Sequence, residues 1–153
     1  LLMAELVEIC KALEQERDFN PLQRILLTCS GTLQGTLSAY FNQEVTVQVV
    51  EQSVQTQRGD SSIQRTVRLE TGGRTVCAAH SEIKTALPEI HQQVMQGGIG
   101  IGQLLESLGI RPRFRLLEAG QDDLKFWRLY MLEGDRVTYR IREAFPKELY
   151  PWP

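Results

Sequence analysis

The chain reads as an α+β fold, an antiparallel sheet of about six strands with helices packed on it. Two hairpins and two helix clusters predict it. The first hairpin runs Ile63 to Thr71, turns at Gly72-Gly73 and returns from Thr75 to Ile83. The second runs Phe126 to Leu132, turns through Glu133-Gly134-Asp135 and returns from Arg136 to Phe145. Helical spacing is confined to the segments before residue 42 and between residues 87 and 108. Strands joined by hairpins are antiparallel, and separate runs of helices and strands give α+β rather than βαβ order.

The elements follow in order. Leu2, Leu6, Ile9, Cys10 and Leu13 recur at helical spacing, which predicts an amphipathic first helix. Asn20-Pro21 supplies an N-cap and a proline at the first helical position for a short helix through Leu27. Ser30-Gly31-Thr32 interrupts it, and a further helix is expected over Leu33 to Phe41. Val45, Val47 and Val49 alternate as a strand that ends at Glu51, and the polar Ser53 to Ser62 segment, with Gly59-Asp60, is expected to be a loop. The return strand of the first hairpin, Val76-Cys77-Ala78-Ala79-His80, is small and apolar on both faces, so it belongs in the middle of the sheet. Leu87-Pro88 opens a helix with Ile90, Val94 and Met95 inward, stopped at Gln96-Gly97-Gly98. Gly98-Ile99-Gly100-Ile101-Gly102 suits neither helix nor strand interior. A short helix from Gln103 to Leu108, a strand from Arg113 to Ala119 and the second hairpin follow. Pro146 to Pro153 is a proline-rich cap with Tyr150 and Trp152. No repeat or linker divides the 153 residues, which form a single domain of 1–153.

Two charges break the alternation. Ile63, Arg65, Val67 and Leu69 share one strand face, and Val137, Tyr139, Ile141, Glu143 and Phe145 share another. A charge removed from water without a partner costs several kcal/mol, roughly, so such groups pair, hold a ligand or line a cleft. An inward arginine suits a carboxylate or phosphate, and an inward glutamate suits a hydroxyl or a proton. The plainer alternatives are an Arg65 whose stem lies on apolar surface while its head reaches water, and a Glu143 at a solvent-facing strand end before Pro146.

Other signals point away from common chemistries. The formal net charge is −2 and the basic residues are scattered, which argues against a nucleic-acid surface. No apolar run approaches the roughly 20 residues that span a bilayer, and Leu1 to Glu14 is too acidic for a signal peptide. Three cysteines, Cys10, Cys29 and Cys77, lack CxxC spacing and sit in apolar stretches, as expected of buried, reduced thiols in the cytoplasm. His80 and His91 have no metal-ligand spacing with a Cys or carboxylate cluster, so no metal site is expected. His80 reads better as a satisfied core residue than as a general acid, and Ser30 and Thr32 lack a Ser/His/Asp arrangement. Arg136, Arg140 and Arg142 form a solvated strand face. The glycine run would let backbone approach an anion before the next helix, although for the run taken alone a plain helix-to-helix turn is the favoured reading; it lacks the dinucleotide spacing and follows a helix.

Five segments together resemble one known family. They are Leu22-Gln23-Arg24-Ile25-Leu26-Leu27-Thr28 with Ser30-Gly31-Thr32; the Arg65 hairpin ending in Ala79-His80-Ser81-Glu82-Ile83; Leu87-Pro88; Ile99-Gly100-Ile101-Gly102 with Leu104-Leu105; and Arg140-Ile141-Arg142-Glu143-Ala144-Phe145-Pro146. In order and spacing the chain resembles chorismate lyases (chorismate–pyruvate lyases), especially the cyanobacterial and algal branch of that superfamily. The resemblance implies a six-stranded antiparallel sheet with its ligand held under flaps. It implies elimination of pyruvate from chorismate to give 4-hydroxybenzoate for quinone biosynthesis, without a cofactor. It places a carboxylate-gripping role on Arg65, a ring-hydroxyl contact on Glu143 and a carboxylate-binding backbone amide at Ile101 or Gly102. The chain departs from the better-studied branch at Gly31, where a bulky thioether stands, and at His80, where an arginine stands. Oligomeric state stays open between monomer and homodimer. The same fold also serves as the effector-sensing domain of some transcription regulators, and a small-carboxylate sensor is the rival reading.

Overall fold

The computed structural model describes residues 3–14, 18–30, 32–96 and 101–153. Three helices lead: α1 (Met3–Glu14), α2 (Pro21–Thr28) and α3 (Leu33–Phe41). Three strands follow as a meander, β1 (Thr46–Gln57), β2 (Asp60–Thr71) and β3 (Arg74–Thr85). Then come α4 (Pro88–Gln96), α5 (Ile101–Ser107), β4 (Arg113–Gln121), β5 (Lys125–Gly134) and β6 (Val137–Pro146), closed by a 3₁₀ turn at Lys147–Leu149. The strands form one six-stranded sheet in the order β1-β2-β3-β6-β5-β4, antiparallel throughout. This is the α+β architecture that the two hairpins predict. Two meanders meet at β3 and β6, which are the central strands.

Local signals explain most element ends. Asn20 forms a capping box: its Oδ1 accepts from the Gln23 amide at 2.9 Å, and its own amide donates to Gln23 Oε1 at 2.9 Å. Helix α3 stops at Asn42, which adopts φ 51° in the left-handed region. Gly72 and Gly73 take φ 57° and 74°, so the β2–β3 turn needs two residues that tolerate positive φ.

One face of the sheet is buried and the other is open. Ile63, Val67 and Leu69 on β2, Cys77 and Ile83 on β3, Tyr139 and Ile141 on β6, and Phe126 and Leu132 on β5 join Leu26, Leu27, Leu37, Ile90, Val94 and Leu104 from the helices in one core. Arg68, Ala78, Arg140 and Arg142 lie exposed on the opposite face. Below the sheet's end, Tyr150 donates its hydroxyl to the Val76 carbonyl at 2.6 Å, and its ring packs on Phe126 and Phe145. The aromatic tail thus closes the core through Tyr150, while Trp152 is exposed.

Several expectations are corrected. Ser53 to Ser62 is not a loop: β1 continues to Gln57 and turns at Arg58-Gly59 into β2. A bulge between Val49 and Glu51 breaks the alternation, and beyond it only Gln52 and Val54 are half-buried while the rest of the edge strand is exposed, so its polar residues mimic a loop. Met95 faces solvent rather than the core, whereas Ile90 and Val94 are fully buried. Cys10 is exposed and Cys29 only half-buried; Cys77 alone of the three is buried. His80 is not a core residue but lies exposed on the open face, its ring nitrogens within 3.0 Å of Thr66 Oγ1 and 3.1 Å of Gln64 Oε1. Helix α5 begins at Ile101, two residues before the expected start, so Ile101 and Gly102 are helical. Gly31, Gly98, Ile99 and Gly100 lie outside the described residues, as do the side chains of Leu2 and Leu6.

Gly120 carries a stability prediction. It pairs with Trp127 across β4 and β5, and a Cβ there would stand 2.6 Å from the Trp127 ring. The indole is too large to step aside without disturbing the sheet, so Gly120→Ala should destabilise by about 1–3 kcal/mol. Urea unfolding will show this as a lowered midpoint at unchanged slope.

Candidate functional site

The site is laid out by strand register. Arg65 on β2 pairs with Ser81 on β3, and Glu143 on β6 pairs with Ala79 on β3. Residues 79 and 81 share the buried face of β3, so Arg65 and Glu143 project to the same side from either flank. Strand spacing and residue rise put their backbones on the order of 12 Å apart along this diagonal. Between them β3 presents only the small side chains of Ala79 and Ser81. Larger residues there would fill the gap; small ones leave a floor for a cavity.

That cavity is present. Arg65, Ala79, Ser81 and Glu143 line it from the sheet, and the α2–α3 connection closes over it through Cys29 and Ser30. Val67, Leu132 and Ile141 add apolar wall, and Gln103 brings the first turn of α5 to its border. About 70 Å³ is open to the centre of a water-sized sphere. One water needs only about 10–15 Å³ on this measure, so the space suits a small organic molecule. Arg65 is 2 % exposed and Glu143 5 %, so neither of the plainer alternatives, an arginine reaching water or a solvent-facing strand end, describes the molecule. Burial pulls the Arg65 guanidinium below its ordinary pKa, and the nearby Tyr139 phenol offsets part of that.

Glu143 has an ion partner that the sequence reading did not identify. Arg128 on β5 sits opposite it in register, fully buried, and its Nε donates to Glu143 Oε1 at 2.6 Å. The other carboxylate oxygen, Oε2, accepts from the Tyr130 hydroxyl at 3.1 Å. Arg128 Nη1 donates to the carbonyls of Leu27 at 3.2 Å and Cys29 at 2.8 Å, at the C-terminal end of α2. Its guanidinium carbon also lies 4.2 Å from the Tyr130 ring centroid. Burial is the largest single influence on Arg128 and pulls its pKa down, but the Glu143 charge, the Tyr130 phenol and the hydrogen bond to Glu143 together more than offset it, so the net shift is upward. Burial, then the Glu143 charge, pushes the Tyr130 phenol well up, so it stays protonated and donates. Arg128 therefore carries a full positive charge against the carboxylate.

The alternation did contain this residue. Phe126, Arg128, Tyr130 and Leu132 share one face of β5, but Trp127, Leu129 and Met131 occupy the other. With apolar residues on both faces, the arginine does not stand out as misplaced. The remaining expected residues are distributed as follows. Ile101 and Gly102 are the first two residues of α5, where backbone amides have no intrahelical acceptor. Ser30 and Thr32 line the cavity, but the imidazoles of His80 and His91 lie elsewhere, on the open sheet face and against Ser61. Among the described residues no group of three or more His, Cys, Asp or Glu could hold a metal ion, and no helix is long and apolar enough to cross a membrane.

No protein-family model matches the chain, and no curated protein matches its sequence.

Proposed function

We propose that the protein is a chorismate lyase, releasing pyruvate from chorismate to give 4-hydroxybenzoate in the cytoplasm for quinone biosynthesis. One observation carries the reading. A buried cation, Arg65, and a buried carboxylate, Glu143, line a single small cavity from opposite flanks, with apolar walls between them. A flat ring bearing a carboxylate at one end and a hydroxyl at the other complements that pattern.

Arg65 takes the ring carboxylate in charge-assisted hydrogen bonds, joined by backbone amide at Ile101 or Gly102. Glu143 accepts the ring hydroxyl. Both its oxygens already hold a donor, Arg128 and Tyr130, so its part is to receive one more hydrogen bond rather than to strip a proton. In the reaction the carbon–oxygen bond to the enolpyruvyl group breaks and the hydrogen on the hydroxyl-bearing carbon departs. The ring becomes aromatic, and the enolpyruvate gains a proton at its methylene to end as pyruvate. Aromatisation makes the step downhill. The protein's contribution is to hold the eliminating conformation and to stabilise charge as it moves.

The test is direct. Purified protein mixed with chorismate, without added metal, should produce 4-hydroxybenzoate, followed by its absorbance, and a chelator should not slow it. Glu143→Gln keeps an acceptor oxygen for Arg128 but leaves that buried charge without a counter-ion, so it should lower stability. Assayed below its own unfolding temperature, the variant's turnover should drop on the order of 10²-fold. Wild-type turnover in that variant contradicts the role. The engagement of both Glu143 oxygens also suits a sensor that binds a small carboxylate without converting it. Tight 4-hydroxybenzoate binding with no chorismate consumption would select that reading.

A further inference from the structure

We infer that Arg128 is the positioning residue that gives the cavity its preference for a ligand hydroxyl, acting through Glu143 without touching the ligand. The inference rests on the reading of Glu143 as the hydroxyl acceptor.

A single guanidinium spends Nε on the functional carboxylate and Nη1 on two carbonyls at the C-terminal end of α2, where the chain enters the cavity wall at Cys29. Those carbonyls belong to Leu27 and Cys29, and Cys29 and Ser30 line the cavity. Arg128 itself does not line it. The fork therefore sets the spacing between the Glu143 carboxylate on β6 and the α2–α3 connection above it. It also sets the rotation of the carboxylate, because Oε1 is fixed by Nε while Oε2 meets the Tyr130 hydroxyl. Both oxygens thereby keep one lone-pair direction committed, and what remains is aimed by the protein. A glutamate with three side-chain torsions would otherwise sample several rotamers in a cavity this small. Guanidinium geometry matters here. A lysine ammonium retains the charge but is a point donor on a flexible stem and cannot hold the carboxylate and two carbonyls at the same fixed angles.

The arrangement separates two functions along the cavity. Arg65 answers the ligand's carboxylate from β2; Arg128 and Glu143 answer the hydroxyl from β5 and β6. Loss of the fork should damage only the second. Tyr130 alone does not replace it, since its single hydroxyl fixes one oxygen and leaves the carboxylate free to swing about that contact.

Equilibrium binding of benzoate and 4-hydroxybenzoate to the wild type, Arg128→Lys and Glu143→Gln reads this out, by calorimetry or by the change in tryptophan fluorescence. The wild type should prefer 4-hydroxybenzoate by about tenfold or more, the range of a hydrogen bond to a charged group. Arg128→Lys should lose most of that preference while binding benzoate within about threefold of the wild type. The double variant Arg128→Lys/Glu143→Gln should lose no further preference, because the two residues act in series. On chorismate, Arg128→Lys should lower kcat/KM by roughly ten- to a hundredfold in the wild-type background and much less in the Glu143→Gln background. A merely structural arginine would weaken both ligands together and multiply its effect on either background; that pattern, or an intact hydroxyl preference in Arg128→Lys, overturns the inference. Failure of the wild type to bind either ligand overturns the ligand reading and the inference with it. A discriminating wild type beside a discriminating Arg128→Lys removes the Arg128 role alone.

Discussion

Arg65→Ala will bind 4-hydroxybenzoate and chorismate weaker by about 2–5 kcal/mol, a loss of thirtyfold or far more in affinity. The expectation follows from where the guanidinium sits. It is 2 % exposed, at the wall of a cavity whose other described lining is largely apolar or neutral apart from Glu143 on the far flank. A ligand carboxylate leaving water for that space needs a cation to offset its desolvation. Alanine removes the cation and widens the cavity, so the carboxylate meets neither a partner nor full solvent. Arg65→Lys keeps a charge but not the planar fork, and should recover only part of the affinity. Calorimetric titration with 4-hydroxybenzoate measures both variants. Thermal unfolding of each serves as the control, since the claim concerns binding in a folded protein. Wild-type affinity in Arg65→Ala would remove the carboxylate end of the site.

Arg128→Met will destabilise the folded state by about 3–5 kcal/mol, the cost of leaving one member of a buried ion pair behind. Arg128 is fully buried and Glu143 nearly so, and their contact at 2.6 Å is charge-assisted on both sides. Methionine approximates the stem of arginine in shape, so the loss is electrostatic rather than a matter of volume. The Leu27 and Cys29 carbonyls lose their donor as well. Replacing both members, Arg128→Met with Glu143→Gln, removes the stranded charge and should return most of the stability. A residue of about 1 kcal/mol remains for the two carbonyls at the end of α2. Urea unfolding of the wild type, both single variants and the double variant measures the cycle. Additive losses in the double variant would mean that the two groups are not coupled.

The sheet was largely legible because hairpin turns and alternation are local signals. Gly72-Gly73 announces its turn, and the alternation through Arg65 and Glu143 assigns both to the buried face before any packing is known. Helix α3 was legible to the residue, since Phe41 is followed by an asparagine able to adopt the left-handed cap. What failed was less local. The outer half of β1 is an edge beyond a bulge, half-buried only at Gln52 and Val54, and with Val54 its single apolar residue the sequence carries too little contrast to mark it. His80 sits among small apolar residues in sequence, but the sheet has one open face, and a period of two puts His80 there with Arg142 opposite it. Sequence alone could not say which face of β3 the helices cover. Arg128 was hidden for a related reason: β5 is apolar on both faces, so a charge on it has no contrast to stand against. Its pairing with Glu143 is a property of strand register between β5 and β6, which the pattern of either strand alone does not contain.

The most direct measurement of the central claim is a crystal structure with 4-hydroxybenzoate bound. The account predicts one molecule in the cavity over Ala79 and Ser81, its carboxylate within hydrogen-bond distance of the Arg65 guanidinium and its hydroxyl on the Glu143 carboxylate, with the Arg128 contact retained. A ligand found in the reverse orientation, or bound outside this cavity while the cavity stays empty, would contradict it.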